Sequence, residues 1–193
     1  MTFVSSLLYV TQPILLLPLD PLNERALDDS FARDRDAARE LEVRTLLLDH
    51  DRLVGSEQDV AVRGLADAGA SLLYRGWMIP AAAYGALEAA VVAKGSSLIT
   101  TAAQYVSAHH LPGWIEIFKE LTPQTTFVPV TATPDEIVRA ATTLGGTAFV
   151  VKDWVKSRKY EWDTAAFAPS VESLPGVVAE FIRLKRNSLS AKS

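Results

Sequence analysis

At 193 residues and 49% hydrophobic content, the chain is long enough to bury one large core or two small ones. The absence of cysteine excludes a disulfide framework, a thiolate metal site and a cysteine nucleophile. A net charge of −4 argues against a general nucleic-acid binder. Residues 1–20 lack a basic start, are interrupted by Gln12 and Pro13, and hold no run near the ~18 apolar residues of a membrane span, so a cytoplasmic protein with no membrane partner is expected.

Apolar runs that read as buried strands alternate with helical periodicity. The expected strands are residues 14–17, 43–48, 71–74, 97–100, 126–130 and 148–151, with a second possible strand after the basic run at 164–167. A charged helix over 31–41 follows possible caps at Asp28, Asp29 and Ser30, and a second helix over 81–93 has Pro80 at its start and Gly95 at its exit. A third, 135–144, lies between the Thr133-Pro134 start and the Gly145-Gly146 stop, and a fourth spans 177–186 before a polar tail. Strand–helix alternation predicts an α/β protein: an open α/β sheet in residues 1–105, then a smaller α+β unit in 106–193. Charge divides along the same line. Residues 1–105 carry 9 basic against 14 acidic side chains, a balance of −5, whereas 106–193 carry 10 against 9, a balance of +1.

Four of those cations fall within eight residues: Lys152, Lys156, Arg158 and Lys159. If the strand at 148–151 continues, Lys152, Lys156 and Arg158 share one face, which either binds a polyanion or is a solvated edge protected by lysines. Tyr74-Arg75-Gly76-Trp77-Met78 follows a strand, at the sheet edge where open α/β sheets bind ligands; Arg75 is there either an anion anchor or the partner of a nearby acid. His109 and His110 are adjacent, hence about 100° apart on a helix and poorly placed to share a metal; a structural role or a contact to substrate or phosphate stays open for them. No glycine-rich phosphate loop and no nucleophile elbow occurs. A weaker alternative is single-stranded nucleic acid held by the lysines, with Trp154 and Trp162 as stacking platforms.

The ordered motifs LLLPLDPLN (15–23), LDHD (48–51), YRGWM (74–78), HHLPGW (109–114), LTP (121–123) and VKDWVKSRKYEW (151–162) resemble a bacterial and phage clade of the ATP-grasp superfamily, over nearly all of residues 14–190. The resemblance implies a pre-ATP-grasp α/β domain followed by an incomplete α+β ATP-grasp subdomain. It also implies ATP-dependent ligation of a small-molecule or peptide carboxylate to an amine or similar nucleophile through an acylphosphate. Lys152, Lys156, Ser157 and Lys159 would then border the ATP phosphates, and Arg75, Trp77 and His110 would face the substrate. Magnesium is implied as well, but its carboxylate ligands belong to a second subdomain that family members carry beyond the helix ending near Leu189. The chain is therefore expected to be a truncated product or one half of a split enzyme, or else an inactive nucleotide- or anion-binding module. Apolar surface left uncovered over 126–167 is expected to favour self-association or a complementing second chain.

Overall fold

The computed structural model describes residues 12–190 apart from 56, 58–60, 63, 65–67, 130 and 156–158. The protein is a mixed α/β chain that divides into two compact units, Met1–Val106 and Ser107–Ser193.

In the first unit the strands are β1 (Ile14–Asp20), β2 (Asn23–Leu27), β3 (Thr45–Leu48), β4 (Ser71–Tyr74) and β5 (Ser97–Leu98). β3, β1, β4 and β5 lie side by side and parallel, while β2 pairs antiparallel with the end of β1. β1 is nearly continuous in apolar residues, as a strand covered on both faces must be, and Leu16, Leu17 and Pro18 are buried in it. The β1–β2 hairpin was not foreseen. Its cause is Asp20, whose carboxylate accepts from the backbone N–H groups of Leu22 (2.7 Å) and Asn23 (3.1 Å) and folds the chain back on itself.

The helices of this unit are α1 (Ala32–Glu40), α2 (His50–Val54), α3 (Ala81–Ala93) and α4 (Ala102–His109), the last running through the division between the units. α3 has the expected bounds. It buries Ala83, Tyr84, Leu87, Ala90 and Val91, a spacing of one, four, seven and eight residues that makes a single apolar stripe. Gly95, at φ 75°, takes the left-handed turn that ends it. Tyr84 stacks on Tyr105, with centroids 4.0 Å apart, and each phenol is satisfied: Tyr84 donates to the Thr100 carbonyl (2.8 Å) and Tyr105 to that of Ile79 (2.9 Å). Burial first, and the neighbouring Tyr105 second, push the Tyr84 phenol up to about 12.

The second unit contains α5 (Leu111–Trp114), α6 (Pro134–Thr142), the short antiparallel strands β6 (Phe149–Val150) and β7 (Phe167–Ala168), and α7 (Leu174–Ser190). α6 begins with a complete capping box: Thr133 Oγ1 accepts from the Glu136 N–H (3.3 Å), and the Glu136 carboxylate accepts from the Thr133 N–H (2.7 Å). The inner face of α6, Ile137, Val138 and Ala141, packs on a core of Phe149, Ala168, Leu174, Val177 and Val178.

Three expectations for this unit are corrected. Residues 126–129 form no strand; Pro129 has no N–H to give a ladder, and among the described residues none pairs with this stretch. Residues 164–166 belong to a π-helical turn (Trp162–Ala166), so only Phe167 of the expected strand at 164–167 is extended. The strand at 148–151 does not continue through Lys152, and Lys156 and Arg158 lie outside the described residues. β6 ends at Val150 and its last ladder bond is from the Val151 N–H to the Ala166 carbonyl (2.7 Å), because the Trp154 carbonyl is engaged by the Leu111 N–H (2.8 Å) and the chain leaves the sheet.

Candidate functional site

At the carboxyl edge of the first unit's sheet, β4 delivers Arg75, Gly76 and Trp77. A Cβ on Gly76 would lie 2.6 Å from the Tyr74 hydroxyl, so only glycine lets that ring fold back and donate to the Trp77 carbonyl (2.7 Å). Arg75 donates through Nε to Asp34 Oδ1 (2.9 Å), and its guanidinium lies 6.0 Å from the Phe31 ring centroid. Trp77 donates its indole N–H to Asp28 Oδ2 (3.1 Å) and meets Phe31 edge-on at 5.2 Å. The Ser30 backbone N–H, followed by the Trp77 indole, holds the Asp28 carboxyl below its usual range. His50 contributes to the same lowering, and its own Nδ1 is buried without a hydrogen-bond partner among the described residues. Both Arg75 and Trp77 are thus engaged by acids of their own unit; an exposed pair such as Arg75–Asp34 contributes only ~0–1 kcal/mol and could yield to a better anion.

The second unit holds a cleft of about 750 Å³. One wall is the irregular segment 122–128, the opposite wall is residues 148–152 with Trp154, and the floor comes from Ile137, Ala141 and Leu144 of α6 and the turn after it. Gly145, at φ 69°, makes that turn, and both it and Gly146 line the cleft. Among the described lining residues Lys152 alone carries a charge, and it has no ion-pair partner among the described residues. Its neighbour Asp153 is neutralised by Lys185 of α7, so the acid beside Lys152 does not quench it. His110 stacks on Trp154, with centroids 5.8 Å apart and planes 11° apart.

The expected site residues therefore fall into three groups. Lys152, Trp154 and His110 come together in the second unit, and Arg75 and Trp77 come together in the first. Lys156 and Ser157 lie outside the described residues, and Lys159 opens a 3-10 turn, Lys159–Glu161. Two features went unnoticed in the sequence. The wall made by Trp114, Ile115 and Phe127 reads as ordinary apolar sequence, and the Asp153–Lys185 pair joins residues 32 apart with no local signal.

The residues present include one ammonium able to meet an anion, since Lys152 lines a largely apolar cleft, is exposed and has no ion-pair partner among the described residues. They do not fit magnesium: among the described residues no three His, Asp or Glu side chains come together, and the described cleft lining holds no carboxylate. Among the described residues no helix is long and apolar enough to cross a membrane. Comparison with protein-family models, with curated proteins and with solved structures finds no match for this chain. Fold and cleft define a two-unit α/β protein with one unpaired cation placed at an apolar pocket.

Proposed function

We propose that this protein binds ATP through the second unit, in the manner of an ATP-grasp subdomain, and serves ATP-dependent carboxylate–amine ligation through an acylphosphate. The observation that carries this reading is Lys152, directed to an apolar cleft and without a neutralising partner among the described residues. An ammonium meeting phosphate oxygens makes charge-assisted hydrogen bonds, each about twice as strong as a neutral one. In the proposed reaction a carboxylate oxygen attacks the γ-phosphorus, ADP leaves, and an amine then displaces phosphate from the acylphosphate. Lys152 holds phosphate oxygens throughout, and Lys156, Ser157 and Lys159 are proposed as further contacts to the same phosphates.

A second reading is a nucleotide- or anion-binding module without catalysis, favoured by a cleft whose described lining has one cation and no carboxylate. Calorimetric titration with ATP separates the outcomes. Measurable binding lost in Lys152→Ala supports the nucleotide site, and ADP release on adding carboxylates and amines selects the ligase over the inert module. Binding unchanged in Lys152→Ala would remove both readings.

A further inference from the structure

We infer that Trp154, backed by His110, is the platform on which the nucleobase of the bound nucleotide stacks, so that the cleft selects nucleotides over bare polyphosphates. The inference rests on the nucleotide reading above and adds to it the means of recognising the base. Lys152 and Trp154 are two apart in a stretch with no helical structure, and both line the cleft; Asp153 between them is turned to Lys185 of α7. That alternation puts Lys152 and Trp154 on the same side of the chain, with their Cα atoms about 6.6 Å apart if the backbone is extended. A ring and an anion joined through one sugar are the chemistry that such spacing receives.

Trp154 is 58% exposed, a large value for an indole that lines a pocket. The near-parallel His110 ring, which is not among the described residues lining the cleft, packs offset against it, and the exposed remainder of the indole is the surface we assign to a ligand. The Leu111 N–H bond to the Trp154 carbonyl and the Asp153–Lys185 pair pin the backbone on both sides of the ring's attachment, so the platform is set before any ligand arrives. His110 acts through Trp154 and is a positioning residue. Its ring, and not its proton, is what the stack requires.

The test compares ATP with inorganic tripolyphosphate by calorimetry on the full chain. Trp154→Ala is expected to weaken ATP about tenfold or more, the range of one base–aromatic stack, and to leave tripolyphosphate unchanged. Trp154→Phe and His110→Phe keep a flat ring and are expected to retain ATP, whereas His110→Ala weakens ATP with no effect on tripolyphosphate. Lys152→Ala weakens both ligands. If Trp154→Ala and Trp154→Phe leave ATP affinity intact while Lys152→Ala removes it, the platform is overturned and the nucleotide reading stands. Equal loss of ATP and tripolyphosphate in Trp154→Ala also overturns the platform, and failure of the unaltered protein to bind either ligand overturns both.

Discussion

Both units leave large apolar side chains exposed, Leu22, Leu41 and Trp77 in the first among them, but they treat the cation at their candidate sites in opposite ways. In the first, Arg75 is held by Asp34, Trp77 by Asp28, Tyr84 by Thr100 and Tyr105 by Ile79, and the aromatic rings stack on one another inside or beside the core. In the second, Lys152 has no ion-pair partner among the described residues, and Ile117, Phe118, Leu121, Phe127, Trp154 and Tyr160 are largely exposed. Internal satisfaction yields stability and leaves little surface to respond to a ligand. A charge without an internal partner does the reverse, and for that reason we place ligand binding in the second unit.

The sharpest way to break this contrast is a cavity in the first unit's core. Leu87 is fully buried in α3, so Leu87→Ala is expected to cost about 2–5 kcal/mol, read by chemical denaturation. A loss under ~1 kcal/mol would mean that this core is loosely packed and the contrast unfounded. In the second unit, Thr133→Ala removes the capping box of α6 and is expected to cost about 1 kcal/mol; restoring Ser at 133 should recover most of it.

Acid titration sharpens the comparison further. The Asp28 carboxyl is held below its ordinary 3.8 in the folded state, chiefly by the Ser30 N–H and then by the Trp77 indole. Its contribution is therefore present above the unfolded-state value and is lost as pH falls through the lower, folded value. Asp28→Asn is expected to reduce the acid-side slope of stability below about pH 4, and Trp77→Phe to reduce it less. An unchanged slope in Asp28→Asn would show that the Asp28–Trp77 contact contributes nothing. The smallest effect is expected from Arg75→Ala, under ~1 kcal/mol, because the Arg75–Asp34 pair is solvent-exposed; thermal denaturation at low and high salt measures it.

What could be read in advance varied with how local its cause was. α3 and the start of α6 were legible because a stripe of apolar residues, a Pro, a Thr and a Gly sit within one element and act on that element alone. The extent of the basic strand was not legible. β6 stops at Val150 because a backbone N–H from Leu111, about forty residues earlier in the chain, takes the Trp154 carbonyl. Likewise Arg75 could be read as either an anion anchor or the partner of an acid, and nothing near it in sequence points to Asp34, 41 residues away.

By itself the amino-acid sequence determined the α/β class, the bounds of α3, the capped start of α6, and the presence of an isolated cation cluster in an acidic chain, since periodicity, capping and charge are properties of neighbouring residues. Tertiary structure alone decided which of those cations meets an apolar cleft, which acid neutralises which base, and that His110 lies against Trp154. Those outcomes depend on distances between residues far apart along the chain, and such distances are set when elements pack and not by any local preference.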